Sequence, residues 1–175
     1  QTAVTPSYGL WRSNDSGVTW IEDNSVGNKN WYGIAINHDG TIQTVVGVGN
    51  IWIYNNSGVN WIDVTPVTTT TTFWFYIAMS SDGTIQTAVT FHGNIWTSND
   101  AGFTWIEDNS VGIKNWRGIA MNHDGTIQTA VVYGGNIWTS NDTGANWTEV
   151  ATTNNWDGIA MNHDGTIQTA VVYGG

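Results

Sequence analysis

Apolar and polar residues alternate along this chain in short runs, each broken by Gly, Asp or Asn. Residues 118–150 show the pattern most cleanly. A first run, GIAMN at 118–122, is followed by His123-Asp124-Gly125. A second, TIQTAVVY at 126–133, is closed by Gly134-Gly135. A third, NIWTS at 136–140, meets a polar turn at 141–144, and NWTEV at 146–150 completes the set. Period-two alternation bounded by turn residues predicts half-buried β-strands. Asp-Gly between two such runs predicts a tight hairpin, because Gly accepts the positive φ that the turn requires. No stretch of ten or more residues carries a helical period. The unit therefore reads as four strands, A to D, with a longer link from D to the next A.

This unit recurs through the chain. Its third turn, SNDTGANW at 140–147, returns as SNDSGVTW at 13–20 and SNDAGFTW at 98–105, with YNNSGVNW at 54–61 between them. The closing tryptophans, Trp20, Trp61, Trp105 and Trp147, are 41, 44 and 42 residues apart. A fixed period of this size, built from short strands, predicts a repeat array of the propeller type. The expected fold is all-β: a β-propeller of four-stranded antiparallel blades, about four in the chain, with units at 1–32 joined to 158–175, 33–72, 73–116 and 117–157. Four A segments accompany four C–D pairs, but B occurs five times, since QTAV stands at both 1–4 and 168–171. Ring closure by the chain's own ends, strand exchange or oligomerisation, and a piece of a longer array all fit that count. The copies form a patchwork: 118–135 and 158–175 are identical, and 20–31 differs from 105–116 only in Asn28 against Ile113. Residues 65–72, TPVTTTTT, read as a low-complexity surface link.

Composition narrows the partners. Four Lys and Arg against 14 Asp and Glu give a net charge of −10, a field that repels nucleic-acid backbones and anionic membrane surfaces. No apolar run reaches the roughly 18–20 residues of a membrane span, and no signal peptide is evident. Cysteine is absent, so there is no disulfide or thiolate site. The outlier is tryptophan, with 12 residues.

The repeated turn S-x-D-x-G-x-x-W has a mechanical role. Asp15, Asp100 and Asp142 can accept hydrogen bonds from backbone N–H groups of their own turns. Gly17, Gly58, Gly102 and Gly144 supply a backbone conformation closed to other residues, and the Trp packs back over the turn. These turns resemble the Asp-box, or BNR, repeats of β-propellers, a family that includes sialidases, sortilin-type receptors, a photosystem assembly factor and bacterial propeller lectins. In the second turn Asn56 replaces Asp and Tyr54 replaces Ser, so it is expected to be less firmly pinned. The resemblance implies a structural role for the boxes, remote from any active site. A sialidase would need an arginine triad, whereas this chain has only Arg12 and Arg117, in different segment types. Its glutamates, Glu22, Glu107 and Glu149, occupy equivalent places on D segments, so no two carboxylates have the distinct environments of an acid–base pair. The basic patches on which the assembly-factor branch relies are missing. The chain is expected not to be an enzyme.

His38, His123 and His163 precede the Asp-Gly of A–B turns, with Ser81 in the fourth. On separate blades they are expected to stand apart as surface turn residues, and neither a metal nor a cofactor is expected. The tryptophans form three classes of four: Trp11, Trp52, Trp96 and Trp138 on C; the box class; and Trp31, Trp74, Trp116 and Trp156 where the D–A link enters A. In a meander the B–C turns and D–A links share one face, which gathers the third class with Tyr133, Tyr173, Phe91 and His92. Aromatic rings beside amides such as Asn30, Asn115 and Asn155 suit sugars, whose apolar faces stack while polar groups take the hydroxyls. The leading expectation is a multivalent, extracellular, glycan-binding module, similar to the lectin branch. The third class is equally readable as core wedged between blades. A structural protein that self-assembles into homo-oligomers by strand addition is the other functional class the sequence supports.

Overall fold

A computed structural model describes residues 1–6, 9–55, 60–67 and 72–174. The first sheet has three strands: β1 (Thr2–Thr5), β2 (Gly9–Arg12) and β3 (Ile21–Asp23). Three complete blades follow. The second is β4 (Trp31–Ile36), β5 (Ile42–Gly47), β6 (Asn50–Asn55) and β7 (Ile62–Asp63). The third is β8 (Trp74–Met79), β9 (Gln86–Gly93), β10 (Ile95–Ser98) and β11 (Ile106–Asp108). The fourth is β12 (Lys114–Met121), β13 (Gln128–Gly135), β14 (Ile137–Ser140) and β15 (Thr148–Glu149). A final pair, β16 (Asn154–Met161) and β17 (Gln168–Val172), repeats the first half of a blade. Within each unit all pairing is antiparallel, in chain order. This is an all-β, partial propeller with open sheets. β1 takes the B place beside β2, β17 pairs with β16, and no pairing joins the first sheet to the last among the described residues.

The inner strands are longer than the alternation implied. β12 begins at Lys114 because its first residues pair with the preceding blade, Lys114 with Gly93 and Asn115 with Phe91. β16 repeats this, with Asn154 and Asn155 against Gly135 and Tyr133, and a single bridge, Val48 to Phe73, marks the same place between the second and third blades. Trp31, Trp74, Trp116 and Trp156 consequently lie in the inner strands, not in the links. The 65–72 link lies partly outside the described residues.

Each interface between neighbouring blades has its own core. One holds Leu10, Val26, Trp31, Val45 and Trp61; the next Val46, Ile51, Trp74, Ile77, Trp96 and Trp105; the third Val89, Ile95, Trp116, Ile119 and Trp147. Trp74 meets Trp96 edge-on at 5.1 Å and Trp105 at 6.4 Å, so the three tryptophan classes of one blade converge on one wedge. Aromatic pairs of this geometry add to the burial of their large apolar area.

A buried polar ladder runs beside these wedges. Thr44, Thr87 and Thr129 each donate through Oγ1 to Oε1 of the glutamine in the next blade, Gln86, Gln128 and Gln168, at 2.7 Å each. Thr2 does the same to Gln43. Each glutamine in turn donates through Nε2 to the glycine carbonyl of its own A–B turn, at 3.0–3.2 Å to Gly40, Gly83, Gly125 and Gly165. Gln86, Gln128 and Thr87 have no exposed surface, so these bonds must be satisfied internally. Thr87→Val strands the Gln128 carbonyl without its donor. It is expected to lower stability by about 1–3 kcal/mol, whereas Thr169→Val, at an exposed copy of the position, changes it by less than about 0.5 kcal/mol. Urea denaturation followed by Trp fluorescence checks both.

Candidate functional site

The repeated turns are built as the sequence implied, with one addition. Asp15 Oδ1 accepts from the Thr19 N–H at 2.9 Å, as Asp100 does from Thr104 and Asp142 from Asn146. Trp20, Trp105 and Trp147 reach back through Nε1 to the carbonyls of Gly17, Gly102 and Gly144 at 3.0–3.2 Å. The serine is a relay: Ser13, Ser98 and Ser140 donate to the Asp at 2.8 Å and accept from the Gly N–H at 2.8–3.0 Å. Gly102 has φ +86, and a Cβ there would sit 3.0 Å from Gln86 Oε1, so both conformation and space demand glycine. In the second copy Asn56 and Gly58 lie outside the described residues, while Trp61 is buried and donates to Asp23 at 3.1 Å.

These hydrogen bonds hold the turn carboxylates ionised. The Thr19 hydroxyl and N–H, with Ser13, bring Asp15 down to about 2. Asn146 chiefly, then Ser140, lowers Asp142. For Asp100 partial burial is the largest influence and pushes upward, but Thr104 and Ser98 together outweigh it.

The A–B turns do not stand apart, as the sequence had suggested. The inner strands bring them together, and their backbones form a ladder: His38 N–H to the Ser81 carbonyl at 2.9 Å, Ser81 to His123 at 2.7 Å, and His123 to His163 at 2.8 Å. The His123 and His163 rings stack at 4.3 Å with 16° between planes. Among the described residues no group of three or more His, Asp or Glu is arranged to hold a metal.

The tryptophans proposed to stack on sugars are placed otherwise. Trp31, Trp74 and Trp116 have no exposed surface, and Trp156 is half-buried. The core alternative holds for the first three, because the inner strand carries each of them into the wedge between blades. The remaining candidates do gather at the B–C end. Asn115 pairs with Phe91 and Asn155 with Tyr133 across neighbouring blades, and Tyr133 lies 6.2 Å from Tyr173. His92 has φ +53 where the fourth and last copies have Gly134 and Gly174, a conformation uncommon for a non-glycine residue.

What the sequence reading missed is a row of bulges. In every inner strand the register skips the residue after the third-class tryptophan: Tyr32, Phe75, Arg117 and Asp157. A β-bulge re-aims its side chain. Three of the four form a continuous band. Tyr32 stacks on Phe75 at 5.1 Å and 19°; Phe75 lies 6.1 Å from Phe91; and the Arg117 guanidinium lies 5.1 Å from the Phe75 ring and 5.4 Å from those of Phe91 and Tyr133. Tyr173 extends the band and is 66% exposed. The signal was present in the copies: WYG, WFY, WRG and WDG stand in otherwise closely copied surroundings.

A concave region lined by Arg12, Asn14, Asp15, Glu22, Asp23 and Tyr54 lies between the first two blades. There Arg12 is paired with Asp23 at 3.6 Å and stacked over Tyr54 at 4.5 Å, so its charge is already partnered.

Antiparallel four-stranded blades wedged on tryptophan, with inner strands side by side, define the fold as that of a β-propeller. Solved structures agree. YCF48 bound to D1 peptide superposes with a TM-score of 0.72 at 18% identity, over 98% of this chain and 56% of that one. YCF48 from Cyanidioschyzon merolae gives 0.70 at 14%, over 95% and 59%. An ancestral GH74 enzyme gives 0.69 at 16%, over 97% and 28%. The chain thus spans little more than half of the YCF48 structures. No family model and no curated protein sequence matches it.

Because the turn aspartates have folded values below the ordinary 3.8, the stability they supply is complete above that value and is lost as pH falls through the folded ones. The melting temperature is expected to hold between pH 7 and about pH 5 and to drop from about pH 4 toward pH 2. Asp100→Asn and Asp142→Asn together should flatten that acid limb. An unchanged limb would place the acid sensitivity elsewhere.

Proposed function

We propose that this chain is a non-catalytic, carbohydrate-binding propeller, and that its ligand lies along the bulge row at the B–C end of the inner strands. The supporting observation is where the copies differ. Residues 118–135 and 158–175 are identical, yet the residue just before each is Arg117 in one and Asp157 in the other, both re-aimed by a bulge. A framework that is copied while the bulge side chain changes from blade to blade suits a surface that reads a ligand. The bulge residues differ from blade to blade, so the row suits one extended ligand better than four equal sites. Tyr32, Tyr76 and Tyr173 offer partly open rings for the apolar faces of pyranoses, and Asn155 and His92 lie beside them for hydroxyls. Kinship with Asp-box lectins and an extracellular setting belong to the same proposal. One neighbouring fold is described as bound to a peptide and another as a GH74 xyloglucanase.

Self-assembly is a second function, for which β17, paired only with β16 among the described residues, offers a free edge. Val171 is 56% and Ile167 68% exposed, while Val131, the counterpart of Val171, is fully buried by the next blade. Strand addition there would join copies of the chain.

A glycan array, followed by fluorescence titration of each hit, tests the first function. Saturable binding is expected, weakened about tenfold or more by Tyr133→Ala and Tyr173→Ala and unchanged by His163→Ala at the other end of the inner strands. A blank array on folded protein contradicts it. Sedimentation of the same samples bears on the second: mass rising with concentration supports assembly, and a monomer throughout rejects it.

A further inference from the structure

Arg117 is held in place but not paired. Its guanidinium sits among Phe75, Phe91 and Tyr133 at 5.1–5.4 Å. Its Nε is buried with no hydrogen-bond partner. Among the described residues no carboxylate lies within 4.0 Å of it, although the chain has 14 acidic residues to choose from. Arg12, by contrast, has Asp23. Two residues before Arg117 in the same strand, Asn115 Oδ1 is a second buried atom without a partner, this one an acceptor. An unpaired buried polar group is costly, so one kept in a native structure calls for an explanation.

We infer that Arg117 anchors the carboxylate of an acidic sugar residue, of the uronic or sialic type. This rests on the carbohydrate-binding function proposed above and names the class of sugar. The N–H groups of a guanidinium lie in its plane, where a carboxylate accepts two parallel hydrogen bonds. The surrounding rings keep the guanidinium in place and give it no anionic partner, so the charge stays free for the ligand. An acidic pyranose carries its carboxylate beside an apolar ring face, which matches an arginine set in an aromatic band that continues through Tyr133 to the open ring of Tyr173. Asp157, the next residue in the bulge row, disfavours a second anion nearby. Together with the net charge of −10, it selects for one isolated carboxylate over a polysulfated or polyphosphorylated chain.

The test titrates the intact chain with a glucuronosyl-xylotriose and sialyllactose, each carrying a single carboxylate, with their neutral counterparts (xylotriose and lactose), and with a Glu-rich heptapeptide. An acidic sugar is expected to bind about tenfold or more tighter than its neutral partner, and the advantage should shrink as salt rises from about 0.05 to about 0.5 M. Arg117→Met, which keeps a long side chain against the rings, should erase the preference and leave neutral binding intact; Arg117→Lys should retain part of it, and Arg12→Met all of it. Thermal melts identify folded variants, and if Arg117→Met does not fold, the Lys variant decides. Equal binding of acidic and neutral sugars, or a preference that survives loss of the guanidinium, overturns the anchor but leaves carbohydrate binding standing. Tighter binding of the peptide overturns the assignment to sugars. Binding of no sugar at all removes both the anchor and the function on which it rests.

Discussion

Everything in this molecule hangs on a buried glutamine. In each of the third and fourth blades one primary amide meets three separate pieces of chain. Gln128 donates to Gly125 in its own A–B turn, accepts from Thr87 in the preceding blade, and lies under Gly144 of its own repeated turn, where an added Cβ would come within 3.3 Å. Hydrophobic wedges supply the greater part of the free energy of blade packing, but they are non-directional and would tolerate sliding of one sheet over another. The amide does not. It fixes register between blades, because a shift of one residue would leave a buried donor and acceptor unmatched.

That constraint accounts for how the repeats vary. The residues that meet at the glutamine, the Ile-Gln-Thr run, the Asp-Gly turn and the serine–aspartate–glycine turn, recur almost unchanged because altering one strands the others. The inner strand also approaches its neighbour closely: a Cβ at Gly33 would lie 3.0 Å from the Phe75 carbonyl oxygen and 3.2 Å from Tyr76 Cα. The bulge just before that glycine escapes both demands. Its side chain is re-aimed and joins neither a wedge nor the ladder, so tyrosine, phenylalanine, arginine and aspartate all fit there. The framework is copied where its residues depend on one another, and the bulge row is a place where the side chain is free to change.

The strands, the turns and the propeller class were legible in the sequence, because alternation, Asp-Gly pairs and a 42-residue period are local signals that repetition amplifies. Aspartate's hold on its own turn was equally legible, since every partner lies within four residues. The inner strands were harder. Their first residues pair with another blade, and no local pattern records a partner some 20 residues away. For that reason Trp31, Trp74 and Trp116 were equally readable as residues of a link or of the core, and the strand carries them into the core. The histidine turns were set apart for a related reason: period alone does not say which strand is innermost. The bulge row lay in plain view just before the identical stretches 118–135 and 158–175, where Arg117 stands in one copy and Asp157 in the other. Disagreement among repeats is easily taken for drift until the backbone shows that all four residues occupy the same break in register.

The most direct test of the cross-blade constraint is a double-mutant cycle on Thr87 and Gln128, with Thr87→Val, Gln128→Leu and the double variant compared by equilibrium urea denaturation. If the amide fixes the blades, the two changes are strongly non-additive: the second costs little once the first is made, with a coupling of about 1–3 kcal/mol. Additive losses would show that the hydrogen bond contributes nothing of its own and that the tryptophan wedges alone hold the blades together.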